Sequence, residues 1–260
     1  MANPARLLWK NLATRSGTTV AASSAATGYP ATNGQNTKRG LPWRSTTTTG
    51  NHDYTATFAA TSIQAVGIVN PLAHTGGTVK AEYKNGGGAY ANFGGGTGLF
   101  TIPSSLRTRL VILYAAAGVT ATDVTFTFTN TGAVSSYVEI GVPLIVPAAN
   151  FFEPSAKLSN ERGIEPIDPS LRREALGGQR QAWKRQKTLT LSGLWPVLPR
   201  ADLDTFMQMW DEVGATDPIV FAQAASSIDQ TIYGTLMARP QYKHVGGDQW
   251  ALRLSVEEAA

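Results

Sequence analysis

Side chains able to carry catalysis or bind a metal are few and widely spaced in this sequence. The three histidines, His52, His74 and His244, lie far apart and share no metal-ligand spacing. Cysteine is absent, which excludes disulfide bonds, thiolate metal sites and a cysteine nucleophile. The chain has no Gly-x-Ser-x-Gly motif for a serine nucleophile. We therefore expect no catalytic residues, no metal and no other cofactor.

Close acidic pairs and glycine runs offer no better reactive site. Asp202 and Asp204 lie in the first turn of a predicted helix, where negative charge complements the helix dipole without any chemistry. The sequence does not exclude a catalytic pair of acids that lie far apart in the chain and close together in the fold. The glycine runs 86–88 and 94–96 lack the following helix and the Lys-Ser/Thr pair of a phosphate loop, so they predict hairpin tips. The sequence favours a protein that is not an enzyme.

The composition favours a folded, β-rich chain in two parts. Apolar residues make up 42% of the 260 residues, whereas charged residues make up 15%, against about 25% in typical soluble domains. Residues 1–150 carry 10 Lys or Arg against 4 Asp or Glu, and residues 151–260 carry 12 against 14. Glycine and threonine are concentrated in the first part and the helix signal in the second, which predicts domains 1–150 and 151–260. Apolar runs are too short to span a bilayer and residues 1–9 lack a signal-peptide core, so we expect neither membrane insertion nor standard secretion.

Alternating apolar residues predict the strands of the first part. Segments 54–58, 79–83 and 124–128 alternate apolar residues with threonine or charged residues, as half-buried strands do. Segments 63–69, 110–115 and 137–146 are more continuously apolar and predict inner strands. Asn, Gly and Pro clusters separate them. The pattern predicts an antiparallel β-sandwich or jelly roll.

A spaced series of residues near the N-terminus resembles the opening of discoidin-like, galactose-binding-like jelly rolls. The series is Ser23-Ser24, then 28–31 (Gly-Tyr-Pro-Ala), Asn33-Gly34 and 43–45 (Trp-Arg-Ser). The resemblance implies sugar binding through loops at one end of the sandwich. Its candidate residues here are Tyr29, Trp43, Arg44, His52 and Tyr90. The competing interpretation is that Trp43 is a core residue and the others are ordinary surface.

The second part carries one clear helix between strands. Apolar residues recur at helical spacing, at Leu203, Phe206, Met207, Trp210 and Val213. Pro199 precedes this stripe, while Gly214 and Pro218 end it. Strands are predicted at 187–194, 218–223, 231–237 and 249–256, and 170–187 is predicted as a long strand or a loop. One helix on an antiparallel sheet predicts an α+β layer.

The second part also resembles tailed-bacteriophage tail-tip and baseplate proteins, similar to distal tail proteins built on the tail-tube fold. The resemblance rests on ordered runs at 168–171, 177–180, 187–191, 202–207, 214–219, 233–234 and 252–258. It implies a domain that forms a homo-oligomeric ring, three- or six-fold, by joining sheets between subunits around a channel for DNA. The order of the two parts is reversed relative to the familiar distal tail proteins.

A basic run is the candidate inter-subunit contact. Segment 171–187 contains Arg172, Arg173, Arg180, Lys184, Arg185 and Lys187 against one acid, Glu174. One interpretation is an arm that reaches an acidic surface of the next subunit, bearing Asp202 and Asp204. The alternatives are a solvated charged face and, less favoured, contact with DNA phosphates.

These observations predict a non-enzymatic structural component of a phage tail tip or baseplate. Its partners would be its own copies, the tail tube and tip hub proteins, and DNA only in transit. It would be assembled in the host cytoplasm and reside in the virion tail tip. The alternatives are a carbohydrate-binding module for adsorption to a host surface glycan, and a capsid or connector protein.

Overall fold

The computed structural model describes residues 4–38, 40–47, 50–70, 78–101, 110–130, 137–159, 163–167, 171–174, 180–183, 188–224 and 230–259. Residues 100, 101, 130, 171–174 and 180–183 are described by their backbone alone. The chain divides into two compact units. We call Leu7–Glu153 the sandwich unit, and Pro154–Ala260 together with Met1–Arg6 the helix unit. The division into domains 1–150 and 151–260 stays a prediction.

Short strands surround two very long ones in the sandwich unit. Its strands are β1 (Arg6–Leu8), β2 (Thr19–Ala22), β3 (Trp43–Arg44), β4 (Gly50–Val69), β5 (Thr78–Lys84), β6 (Ala91–Asn92), β7 (Leu99–Thr101), β8 (Leu110–Asn130), β9 (Glu139–Ile140), β10 (Val142–Pro147) and β11 (Phe151–Phe152). Antiparallel pairing gives the order β10-β4-β8-β5-β6, with β2 added to β4 and β7 to β5. Strands β3 and β9 form a separate pair, and β1 pairs with β11.

Irregularities in β4 and β8 let one sheet enclose a core. The β4–β8 register shifts between Thr57 and Thr61 and again between Ile63 and Ala65, and such bulges bend strands sharply. The residues on either side of the bends pack into one apolar cluster that includes Tyr54, Ile68 and Phe126. The predicted alternation at 54–58 and 124–128 is confirmed, because Tyr54, Ala56, Phe58, Val124, Phe126 and Phe128 are all buried.

The helix unit is an antiparallel sheet covered by one helix. Its elements are β12 (Gly163–Ile167), β13 (Leu171–Glu174), β14 (Arg180–Trp183), β15 (Thr188–Pro199), α1 (Arg200–Val213), β16 (Ile219–Ala222), β17 (Thr231–Leu236), β18 (Gln241–Gly246) and β19 (Gln249–Glu258). The strand order within this unit is β16-β17-β19-β15-β12, and β18 pairs with β19. Strands β13 and β14 form a hairpin of their own. The predicted mainly β fold, with one helix on an antiparallel sheet, is confirmed.

Helix α1 begins and ends where the sequence places it. Pro199 is extended and directly precedes the helix. At the other end Gly214 adopts φ +57° and donates its N–H to the carbonyl of Trp210 at 2.7 Å. Glycine favours this left-handed conformation at a helix C-terminus. Among the residues that the structure describes, no helix, α1 included, is long and apolar enough to cross a membrane.

The buried face of α1 differs from the predicted stripe. Leu203, Phe206, Met209 and Val213 are buried, whereas Met207 and Trp210 are half-buried. The buried side of the helix is therefore rotated relative to the predicted one. It faces Trp195 of β15, whose ring lies 4.9 Å from that of Phe206. A helical stripe fixes which residues share a side but not which neighbour they meet.

Candidate ligand-binding site at Arg44

Strand β3 points two successive side chains in opposite directions. Trp43 pairs with Ile140 and Arg44 with Glu139. The Trp43 side chain is buried, packs edge-on against Tyr54 at 5.7 Å, and donates its indole N–H to the Ser24 carbonyl at 2.9 Å. Because side chains alternate along a strand, burial of Trp43 directs Arg44 outward.

The neighbouring Ser45 fixes β3 against β9. Ser45 is buried, and its backbone N–H donates to the carbonyl of Val138 at 2.9 Å. The N–H of Val138 donates in return to the Ser45 hydroxyl, also at 2.9 Å. These two bonds join segments far apart in sequence, so the position of Arg44 depends on both.

The Arg44 guanidinium lies between two tyrosine rings and a carboxylate. Its Cζ is 4.0 Å from the ring centroid of Tyr29 and 4.4 Å from that of Tyr137. Its Nε donates to Oε2 of Glu139 at 2.6 Å. The side chains of Arg44 and Glu139 are 24% and 8% exposed. We call Tyr29, Arg44, Tyr137 and Glu139 the arginine cluster.

Burial and pairing act in opposite directions on Arg44. Burial lowers the pKa of the guanidinium, but the hydrogen bond and the charge of Glu139 outweigh it, so the pKa is raised above its ordinary value. Arg44 is therefore a fixed positive charge at every physiological pH. Cation–π contacts and an ion pair together hold it in one orientation.

Part of the guanidinium remains available to a ligand. Glu139 takes the Nε hydrogen, and no residue in the described ranges is hydrogen-bonded to the two Nη groups of Arg44. A guanidinium carries five N–H donors, so up to four remain for hydrogen-bond acceptors on a ligand. The cluster can thus present donors beside aromatic faces, the combination found in small-molecule sites.

His52 lies beneath this region. It is 5% exposed, its Nδ1 is 3.5 Å from the Ser24 hydroxyl, and its Nε2 has no hydrogen-bond partner among the described residues. Burial lowers the pKa of the imidazole, against the opposing effect of Asp53. Ser24 contacts both Trp43 and His52, because its carbonyl accepts the Trp43 indole N–H while its hydroxyl lies next to His52.

The structure brings two of the five predicted sugar-contact residues together. Tyr29 and Arg44 touch, whereas Trp43 and His52 are buried below them and present no surface to a ligand. The interpretation of Trp43 as a core residue is therefore the correct one.

Tyr90 lies elsewhere. Its ring is 5.1 Å from Nζ of Lys84, and Lys84 pairs with Asp123 of β8. His52 pairs with Phe128 of the same strand. At the usual rise of a strand, His52 and Lys84 are therefore about 17 Å apart along β8.

Sequence reasoning missed Tyr137 and Glu139. They stand two residues apart at the start of the predicted strand 137–146, so they share a face of an extended chain. That spacing was the available signal. Nothing local indicated that β9 would pair with β3, because Arg44 and Glu139 are 95 positions apart.

The predicted inter-subunit residues are scattered over three settings. Arg172, Arg173 and Arg180 belong to the β13–β14 hairpin, where Arg173 pairs with Gln181, and Lys184, Arg185 and Lys187 lie outside the described residues. Asp202 accepts hydrogen bonds from the backbone N–H and the hydroxyl of Ser155 at 2.8 and 2.7 Å. Asp204 pairs with Arg200 at 2.9 Å. Both acids thus have partners in their own chain, and a role between subunits stays a prediction.

No protein-family model matches the chain. No curated protein matches it either.

Among solved structures, the chain is similar to a Ruminococcus gnavus GH29 fucosidase in complex with fucose, at 17% identity and a TM-score of 0.44, over 53% of this chain and 26% of that one. The chain thus spans about a quarter of the fucosidase. It is similar to a family 32 carbohydrate-binding module from C. perfringens in complex with galactose, at 11% identity and a TM-score of 0.43, over 54% and 98%. A chitosan-binding module from Paenibacillus gives 16% and 0.41, over 52% and 98%. These similarities assign no ligand and no activity to this chain.

Proposed function

We propose that the sandwich unit is a non-enzymatic carbohydrate-binding module whose ligand contacts the arginine cluster. The observation that carries this proposal is the guanidinium of Arg44, which is held on three sides and still 24% exposed. A group fixed before binding loses little conformational entropy when a ligand arrives. The host surface glycan of the alternative prediction would be its partner.

The chemistry of the cluster suits a sugar. A pyranose offers hydroxyl oxygens that accept hydrogen bonds and C–H faces that pack on aromatic rings. Arg44 supplies the donors, and the half-buried rings of Tyr29 and Tyr137 supply flat apolar surface with a polar edge. The one acid of the cluster, Glu139, is paired with Arg44.

Tyr29→Ala tests this proposal most directly. It removes one aromatic face and leaves the Arg44–Glu139 pair intact, whereas Arg44→Ala alone would strand Glu139 as a buried unpaired charge. We expect at least about fivefold weaker binding on a glycan array in a multivalent format, since a stacking contact is worth about 1 kcal/mol or more.

A paired variant and a control complete the experiment. Arg44→Gln combined with Glu139→Gln removes both charges together and should also abolish binding. Tyr90→Ala, an exposed aromatic on another part of the unit, should bind as the unaltered protein does. Absence of any glycan signal from the unaltered protein, or equal loss in the Tyr90 variant, would refute the proposal.

A second candidate function is a structural subunit of a phage tail tip or baseplate. Copies of the chain would form a ring through their helix units. The observation that favours it is strand β18, which pairs with β19 alone among the described strands and is exposed along its whole length. Tyr242 and Val245 are 47% and 57% exposed there. Proteins rarely leave such an edge uncovered.

In this second candidate the partners are further copies, the tail tube and the tip hub, with DNA in transit only. The two candidates are compatible, because one concerns the sandwich unit and the other the helix unit. Locating the subunit on intact phage particles by electron microscopy tests the second candidate. A position in the capsid or at the connector, or absence from particles, would contradict it.

A further inference from the structure

The connection between β17 and β18 forms a pocket on the helix unit that no proposed function uses. The pocket measures about 270 Å³ and is lined by Met237, Ala238, Arg239, Gln241, Arg253 and Ser255. The backbone N–H of Met237 donates to the Ser255 carbonyl at 3.1 Å, and Gln241 pairs with Arg253. The 237–240 connection is therefore tied to β19 at both ends, which gives the pocket a fixed floor.

The lining side chains of β19 point away from the core. Leu252, Leu254 and Val256 are buried, so the alternating residues Arg253 and Ser255 project from the opposite face of the sheet. Helix α1 covers the first face, where its Phe206 packs against Trp195, the register partner of Leu252. The pocket thus lies on the sheet face that α1 does not cover.

The charges around the pocket are uncompensated. Arg239 and Arg253 are both exposed, and neither forms an ion pair with any residue that the structure describes. On β19 the next acid on this face is Glu257, two residues beyond Ser255 and so about 7 Å further along the strand. Two cations beside one pocket repel each other, and an anion between them relieves that repulsion.

The polar groups of the pocket are of the kinds that bind an oxyanion. Each guanidinium offers a planar fork that matches two oxygens of a carboxylate or phosphate. The amide of Gln241 and the hydroxyl of Ser255 add further donors. Lining carboxylates, which would oppose an anion, are absent from the residues that form the described pocket.

We propose that this pocket binds a single oxyanion group, a phosphate or a carboxylate, held between Arg239 and Arg253. The bound group is recognised by its oxygens and charge, so a spherical halide of equal charge binds far less well. The site belongs to the helix unit, and its function is separate from glycan binding at the arginine cluster.

Titration of the full chain with inorganic phosphate, and separately with succinate, tests this proposal by ¹⁵N-resolved NMR. We expect saturable shifts confined to the amides around 237–241 and 253–255, at matched ionic strength in chloride. Arg253→Gln and Arg239→Gln should each weaken binding about tenfold, because a charge-assisted hydrogen bond contributes about 1.5 kcal/mol or more. Arg200→Gln, a surface arginine already paired with Asp204, should leave the affinity unchanged.

The outcomes separate the sources of the anion. Saturation by phosphate alone assigns a phosphate site, saturation by succinate alone assigns a carboxylate site, and saturation by both assigns a general oxyanion site. Equal response to chloride, no saturable response, or unchanged affinity in both pocket variants would overturn the proposal.

Discussion

At the scale of single residues, buried polar groups in the sandwich unit differ in how they are satisfied. Glu139 is buried but paired with Arg44 at 2.6 Å. Asp123 is buried and keeps a lowered pKa, since hydrogen bonds from Thr122 and Thr57 and the charge of Lys84 outweigh the effect of burial. For His52 the charge of Asp53 does not outweigh burial, so the pKa of the imidazole is lowered. Its protonation should therefore cost stability.

His52 makes the stability of the protein fall as the solution becomes acidic. Its folded pKa lies below the unfolded value of about 6.5, so the unfolded chain binds the proton first as the pH drops. Stability is full above that unfolded pKa, decreases through it, and levels off once the folded imidazole is also protonated. The slope cannot exceed about 1.4 kcal/mol per pH unit for one proton.

Urea unfolding between about pH 7.5 and pH 5.5 measures this effect. His52→Gln removes the titrating group, and we expect the variant to lose less unfolding free energy over that window than the unaltered protein. The same comparison for His244→Gln is the control, because His244 is exposed and hydrogen-bonded to the Gly247 carbonyl. Parallel pH profiles for the His52 variant and the unaltered protein would contradict the assignment.

Residue types and their spacing predicted which positions lie inside, but not which positions meet. Alternation placed Tyr54 and Phe126 in strands, and both are buried. The Arg44–Glu139 pair escaped prediction because it depends on register between strands 95 positions apart. Local periodicity carries no information on such register. The arginine cluster could therefore be predicted only in its first two members, Tyr29 and Arg44.

At the scale of elements, strands β4 and β8 approach closely where glycine permits it. Gly67 pairs with Ile112 in the middle of the apolar segment 63–69. A Cβ at Gly67 would lie 2.4 Å from the Val111 carbonyl oxygen and 3.1 Å from the Ile112 Cα. These are backbone atoms of a paired strand, which cannot move aside as a flexible side chain can.

Gly67→Ala should therefore destabilise the sandwich unit. Separating β4 from β8 would strain the longest pairing in the unit, and we expect a loss of roughly 1–3 kcal/mol, the usual range for overpacking. Gly87→Ala is the matched control, because a Cβ there meets no atom within 4 Å. Thermal and urea unfolding of both variants measure the difference. Equal stability of the two variants would show that the strands separate without cost.

Strand β18 shows which elements the sequence does not predict. Its six residues are all exposed, so they have no apolar alternation for a periodicity argument to detect. Its existence follows from pairing with β19, where Tyr242 faces Leu252. By contrast, α1 was predictable at both ends because Pro199 and Gly214 act locally, through backbone geometry.

At the scale of the whole molecule, the free edge of β18 is where copies of the chain could join. An added strand would bond the unpaired backbone groups of β18 and cover Tyr242 and Val245. Each backbone hydrogen bond contributes about 0.5–1.5 kcal/mol, and burial of each large apolar side chain about 1.5–3 kcal/mol. Lys243 at the centre of the strand disfavours indiscriminate pairing, so a specific partner with a complementary edge is required.

Light scattering and sedimentation of the purified protein test whether that partner is the chain itself. A three- or six-fold ring joined through β18 would have a mass three or six times 27.6 kDa. Val245→Lys should weaken self-association at least tenfold, because a buried charge replaces a buried apolar group. Val197→Lys is the control, since Val197 is 43% exposed on β15, away from the β18 edge. A protein that stays monomeric at every concentration, or assemblies that both variants leave intact, would remove the physical basis for a ring built on this edge.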